Sequence, residues 1–268
     1  GMFMFPALTV RLWFSWRFLV DIKDVSSYLG ANVLNRTDVW TINLGDDSSI
    51  VKSFIYVPYN WCNPNLVSEG IDMINATFNG VRITPVAFYR DQGNLGNYGK
   101  YGYGVLVYDV TDLITKSGDN TLILNKTAKT PAVYPSALVY MYNTTGSSVI
   151  KEITIINGAD LLANSNNNAG RIAHSDSTID VNSKLISGAT LYVFAASAQT
   201  GEGNVIFNDK VNENVWSGTS SSTDLYTLDI TGTVKDINSI SFVATGSTIL
   251  ALQQMIVLTK NTDDASIS

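Results

Sequence analysis

One cysteine, one histidine and few charges set the first limits on this chain of 268 residues. Cys62 alone cannot make an intrachain disulfide, so the fold must be held by its core. With His174 as the sole histidine, nitrogen and sulfur ligands are too few for a structural zinc site. Charged residues make up 15% of the chain, against about 25% in ordinary soluble domains. The balance is acidic, at net −6. No basic stripe exists to displace counterions from phosphate, which argues against nucleic acid as a partner. The same deficit argues against attraction to anionic lipid.

Long apolar runs are scarce as well. Met2 to Val20 is the one stretch to test against a bilayer, where a spanning helix needs about 20 apolar residues with few charges. Arg11 and Arg17 interrupt it and Pro6 precedes it. Its pattern has a period of two: Leu8, Val10, Leu12, Phe14, Trp16, Phe18 and Val20 share one face, and Thr9, Arg11, Trp13, Ser15, Arg17 and Leu19 the other. This predicts a long strand with one apolar face, or a strand that continues into a second sheet, and no membrane insertion. A signal peptide is the lesser reading, for want of a cleavage pattern.

What the chain has is strands. At 45% apolar residues it can build a sizeable core. Segments rich in Val, Ile, Tyr and Thr recur at Ile50–Tyr59, Ile74–Phe78, Val105–Val110, Thr121–Leu124, Ala137–Tyr142 and Ile153–Ile156. They continue at Ala189–Phe194, Val205–Phe207, Leu225–Ile230, Ser239–Val243 and Leu250–Thr259. Turn chemistry separates them at Asn79-Gly80, Gly118-Asp119-Asn120, Asn157-Gly158, Ser187-Gly188 and Thr231-Gly232. No segment sustains a helical period, although Val110–Lys116 and Leu161–Asn164 each suit a single helical turn. Many short strands with frequent turns predict an all-β sandwich or barrel.

An internal repeat refines this. Phe54-Ile55-Tyr56-Val57 matches Thr190-Leu191-Tyr192-Val193, and Phe78-Asn79-Gly80 matches Phe207-Asn208-Asp209. Val107-Tyr108-Asp109-Val110-Thr111 matches Thr227-Leu228-Asp229-Ile230-Thr231. Asp119-Asn120-Thr121-Leu122 then matches Ile237-Asn238-Ser239-Ile240, and Ala137-Leu138-Val139-Tyr140 matches Met255-Ile256-Val257-Leu258. The order is the same in both halves, and the spacing between matches shrinks along the chain, as expected for equal strands with longer loops in the first copy. Asp109 and Asp229 therefore read first as turn-fixing residues, whose carboxylates bond loop amides. The expected fold is two tandem antiparallel sandwiches of jelly-roll type, residues 1–150 with the extra N-terminal strand and residues 151–268 as the repeat.

In that order, the strand with Tyr-Val, then Phe-Asn-Gly, Tyr-Asp-Val-Thr-Asp, Gly-Asp-Asn-Thr and Ala-Leu-Val-Tyr resembles an uncharacterised family of methanogenic archaea, catalogued as domain of unknown function 3344. Lys52 to Tyr142 carries the clearest likeness, and Asn157-Gly158-Ala159-Asp160 looks like the family's bridge into its second half. The N-terminal strand with its Arg and Trp residues departs from the family pattern, and the second half carries the motifs loosely. The resemblance implies an extracellular module of large adhesin-like cell-surface proteins. It implies no catalytic residues.

Candidate sites are few. His174-Ser175-Asp176 are consecutive, and neighbours in sequence cannot form a relayed triad without distortion. His174 reads as a solvent-facing loop residue and Cys62 as a half-buried thiol. Asp46-Asp47, Asp91-Gln92-Gly93-Asn94, Asp176 and Asp180 offer oxygens to calcium, but none has the spacing of a known loop. No cofactor is otherwise expected. The stretch from Tyr89 to Tyr103 is the most unusual. Tyr89, Asp91, Tyr98, Tyr101 and Tyr103, with Trp61, are the candidate ligand-binding residues, because flat rings with polar edges suit a sugar or a protein partner. Asn35, Asn125 and Asn143 begin glycosylation patterns, as does Asn75 within a predicted strand. The expectation is a non-catalytic adhesion or structural module at the cell surface, binding a cell-wall or host glycan or a neighbouring surface protein. The alternative is an accessory carbohydrate-processing domain, which would need two carboxylates facing each other about 5–9.5 Å apart.

Overall fold

The computed structural model describes residues 8–10, 16–62, 73–91, 101–146, 149–164 and 173–261. Apart from one 3-10 turn at Val25–Ser27, the regular elements among these residues are strands. The first half runs β1 (Leu8–Val10), β2 (Trp16–Ile22), β3 (Asn35–Asn43), β4 (Ser48–Cys62), β5 (Ile74–Phe78), β6 (Val81–Ile83), β7 (Ala87–Asp91), β8 (Gly102–Asp109), β9 (Ser117–Lys126), β10 (Ala132–Val133) and β11 (Ala137–Thr144). The second runs β12 (Val149–Leu162), β13 (His174–Asp180), β14 (Ile186–Ala196), β15 (Gly203–Phe207), β16 (Lys210–Asn212), β17 (Thr223–Asp229), β18 (Ile237–Ala244) and β19 (Ile249–Asn261).

Pairing is antiparallel and nested. In the first half β5 pairs β6, β4 pairs β8, β3 pairs β9 and β2 pairs β11. In the second half β15 pairs β16, β14 pairs β17, β13 pairs β18 and β12 pairs β19. Each half is thus one long hairpin, rolled so that alternate pairs fall into opposite sheets, which is the jelly-roll winding. The inner sheets have the orders β2-β11-β4-β8-β7 and β1-β12-β19-β14-β17, and the outer sheets β3-β9-β5-β6 and β13-β18-β15-β16.

The same turn bonds recur in both halves. Asn79 and Asn208 sit at φ 47° and 45°, in the left-handed region that asparagine tolerates. Asn79 donates to the carbonyl of Leu113 and to Asn120, and Asn208 to the carbonyl of Thr233 and to Asn238. Each accepts from the backbone of the neighbouring strand, at Thr121 and Ser239. Asp109 and Asp229 accept from the amide and hydroxyl of Thr111 and Thr231, the turn-fixing role read from the sequence.

Three apolar layers hold the sheets. Trp40, Ile55, Val57, Phe78, Tyr108 and Leu122 fill the first sandwich, and Leu191, Val205, Phe207, Trp216, Ile240 and Phe242 the second. The third layer lies between the two inner sheets, where Phe54, Tyr56, Val105, Val107 and Val139 meet Ile153, Ile155, Phe194, Leu252 and Val257. The inner strands are therefore buried on both faces, and the halves share a core. Side-chain bonds cross the same plane: Thr223 donates to the carbonyl of Pro135 at 2.7 Å, and Tyr56 to Asn157 at 3.1 Å.

The N-terminal segment takes the second of its two expected forms. β1 extends the inner sheet of the second half, while β2 pairs β11 in the first. Val20 and Ile22 pack against the central core, and Arg17 and Leu19 are exposed, as the alternation requires. No helix among the described residues is long and apolar enough to cross a membrane.

Several local expectations are corrected. Gly118-Asp119-Asn120 and Ser187-Gly188 lie inside β9 and β14, and Asn157-Gly158 inside β12 at a register shift between Asn157 and Asp160. Leu161 and Leu162 end β12 and do not begin a helical turn. His174 opens strand β13 and is not in a loop. Cys62 is fully buried in the first sandwich.

Candidate functional site

The candidate ligand residues converge on one end of the inner sheet of the first half. Trp61 lies near the end of β4, Tyr89 and Asp91 in the second half of β7, Tyr101 just before β8 and Tyr103 at its start. The register explains the convergence, because Asp91 pairs Tyr103 and Cys62 pairs Gly102. A register shift between Tyr59 and Cys62 places Trp61 in a bulge at φ 60°. That conformation costs about 1–2 kcal/mol in a residue with a Cβ. The Trp61 ring stands edge-on to Tyr101 at 5.0 Å and tilted to Tyr103 at 6.1 Å.

The rings differ in availability. Tyr101 is 38% exposed and Trp61 partly so. Tyr103 is buried in the central core, which leaves it to support the other two without offering a face of its own. Tyr89 is half-buried against the same core, its hydroxyl pushed up by burial. Tyr98 lies outside the described residues, as do Gln92, Gly93 and Asn94. Trp216, another aromatic near a loop, is wholly buried and stacked 6.1 Å from Phe242.

Asp91 has a structural partner that the sequence did not disclose. Its carboxylate accepts the amide of Leu161 at 2.6 Å, from the other half. Asp160 precedes Leu161 in β12. Burial is the main reason that its carboxyl lies above the ordinary carboxylate range; Ser175 opposes this and the Asp91 charge adds to it. Further along the same plane, Asn157 accepts from Tyr56 and from Gln253, a polar patch inside an apolar core.

The other candidates lie apart. Asp176 accepts from Ser241 at 2.5 Å and pairs with His174 at 2.9 Å, both exposed on the outer sheet. Ser175 points the opposite way, into the protein, so the three do not form a triad. Lys116 reaches the backbone carbonyls of Gly45, Asp46 and Ser48. Among the described residues, no group of three or more His, Cys, Asp or Glu is placed to hold a metal. Asn35 pairs Asn125, which pairs Asn75, so three glycosylation patterns share one row across an outer sheet. Asn35 and Asn125 are exposed, Arg82 donates to Asn75, and Asn143 accepts from Ser49.

Comparison with solved structures finds resemblance at low scores. N-glycanase F (PNGase F) is 11% identical, with a TM-score of 0.33 over 92% of this chain and 96% of that one. The Streptomyces avermitilis α-L-rhamnosidase complexed with L-rhamnose is 15% identical, at a TM-score of 0.24 over 94% of this chain and 26% of that one. A β-porphyranase of glycoside hydrolase family 86 from Bacteroides plebeius is 10% identical, at 0.29 over 85% and 35%. No curated protein matches the chain. The family model described as Protein of unknown function (DUF3344) matches residues 18–259, nearly the whole chain, and the protein belongs to that family.

Proposed function

We propose that this chain is a non-catalytic module displayed at the cell surface, which recognises carbohydrate through the exposed faces of Trp61 and Tyr101. One observation carries the reading. Five residues after Tyr192, the second half has Ser197 at φ 55°, where the first half has Trp61 at φ 60°, five residues after Tyr56. The left-handed position is met by a serine in one copy, so the backbone conformation does not demand an indole. The first half places a large aromatic there, beside an exposed tyrosine, in a conformation that carries strain. Aromatic faces with polar rims suit the apolar faces of sugar rings. The low charge of the chain agrees with a surface of uncharged polar groups.

The carbohydrate-processing alternative fits the geometry less well. A glycosidase pair leaves about 5–9.5 Å between its carboxyls for a sugar carbon or a water. Asp91, the one carboxylate among the candidate ligand residues, already holds the Leu161 amide.

Glycan-array and cell-wall polysaccharide binding by the full chain test the proposal. Trp61→Ser supplies the residue that the other half has at the matching left-handed position, so folding should persist, verified by circular dichroism. At least tenfold weaker binding is expected for Trp61→Ser and for Tyr101→Ala. Equal binding by both variants, or none to any glycan by the unaltered chain, would remove the sugar site.

A further inference from the structure

β8 and β17 are the same strand in the two halves, matched through the turn aspartates Asp109 and Asp229. Each pairs on one side with the long inner strand of its sheet, β4 or β14. The amides of Val110 and Ile230 donate to the carbonyls of Ser53 and Ala189. Bonding alternates along an antiparallel strand, so even-numbered residues of β8 and β17 bond inward and odd-numbered ones turn outward.

At the outer edge the halves differ. β7 covers β8, with Ala87 opposite Val107, Tyr89 opposite Val105 and Asp91 opposite Tyr103. β17 ends its sheet among the described residues. The preceding connection is the reason. Residues 84–101 carry β7 between β6 and β8, whereas residues 213–222 are fewer and run elsewhere. There the Val215 amide donates to the Gly203 carbonyl, and Trp216 is buried in the second sandwich. Burial records the difference. Val105, Leu106, Val107 and Tyr108 are buried, while Leu225, Tyr226 and Leu228 are half-buried and Thr227 is exposed. Leu225 borders the central layer, and Tyr226 and Leu228 the second sandwich, so both faces of this edge leave apolar surface for another strand to cover. The outward amide of Leu225 donates to Asp224 at 3.0 Å. Those of Thr227 and Asp229 have no backbone partner among the described residues.

We propose that the outer edge of β17 receives an antiparallel strand from a partner polypeptide with the chemistry of β7. That strand carries a small residue opposite Thr227, aromatic or apolar residues opposite Tyr226 and Leu225, and a cation opposite Asp224. In β7 these places belong to Ala87, Phe88, Tyr89 and Arg90. Phe88 packs into the sandwich and Tyr89 against the central layer, the two faces that β17 leaves half open. The cation follows from one replacement. Gly104, opposite Arg90, and Asp224 stand at the same distance before their turn aspartates. The Asp224 carboxylate accepts from the amide and hydroxyl of Ser217 and from the Leu225 amide, all neutral donors. In strand addition the main chain supplies affinity and alternate side chains supply specificity.

Amide hydrogen exchange of the full chain, with the end-capped peptide Val86–Asp91 as probe, tests this. In the free chain the Thr227 amide should exchange rapidly, while Tyr226 and Leu228, bonded to β14, stay protected. Peptide at about 1 mM should slow Thr227 by at least about fivefold. Fluorescence anisotropy of the labelled peptide should show binding lost in Thr227→Pro, since proline gives up the outward amide and an edge strand tolerates it. Asp224→Asn keeps the acceptor for the Leu225 amide without the charge, and should bind about threefold more weakly with less dependence on salt. That variant keeps the test open if the proline variant folds poorly. A Thr227 amide already protected in the free chain, no slowing by the peptide, or undiminished binding by both variants would overturn the proposal. Self-association in sedimentation that Thr227→Pro abolishes would overturn it in favour of a second copy.

Discussion

Arg36 and Asp38 show what a single pair does in this fold. Both point inward from β3, with side chains 6% and 1% exposed and 3.0 Å between Nη2 and Oδ2. Arg36 also donates to the carbonyls of Ser27 and Tyr134 and to the Ser136 hydroxyl, tying the first strand of an outer sheet to the approach to β11. Burial pushes the Asp38 carboxyl up and Arg36 opposes the shift. Removing one partner of such a pair strands a buried charge, so Arg36→Met is expected to cost about 3–5 kcal/mol in urea denaturation. Adding Asp38→Leu to it should recover part of that loss, whereas strictly additive losses would mean that the two charges act independently. The turn asparagines obey a different rule. Asn208→Ala loses three bonds and enters the left-handed region with a Cβ, so it should be less stable than Asn208→Gly by about 1 kcal/mol.

Among elements, what the sequence disclosed depended on which faces a strand buries. β5 matched its expected bounds because apolar Ile74, Ala76 and Phe78 alternate with Asn75 and Thr77. β3 and β13 escaped notice although they alternate in burial just as strictly. Their inward sets begin with Arg36 and Asp38 in one and Ser175 and Ser177 in the other, and polar residues on the inner face hide the period. β4 was visible as a strand, but its continuous burial from Ser53 to Asn60 was the unused sign of a third core. Ring clustering around Trp61 and Tyr101 was legible as aromatics near a loop. The bond from the Leu161 amide to Asp91 was not, because it exists only where β7 meets β12. Close approach of elements gives its own test at Gly104, where a Cβ would fall 2.4 Å from the Tyr59 hydroxyl and the Tyr89 carbonyl. Gly104→Ala should push β7 from β8 and cost about 1–3 kcal/mol in thermal melts. At Gly232, where a Cβ meets nothing within 4 Å, alanine should change stability by less than about 0.5 kcal/mol.

At the scale of the whole molecule, four sheets stack with three apolar layers between them, and the middle layer makes the two halves one body. An arrangement of independent beads would leave the inner faces of β4, β8, β11, β14 and β19 polar. They carry Phe54, Val107, Met141, Phe194 and Met255 instead. Each truncation in this layer removes packing that both halves share, at about 0.5–1.5 kcal/mol for a methylene-sized change and more for a larger one. Differential scanning calorimetry of the full chain beside Val139→Ala and Val257→Ala, one truncation from each side of the central layer, measures the sharing directly. A shared core requires a single transition whose midpoint both variants lower. Two transitions, each moved by the substitution in its own half alone, would show that the sandwiches fold separately.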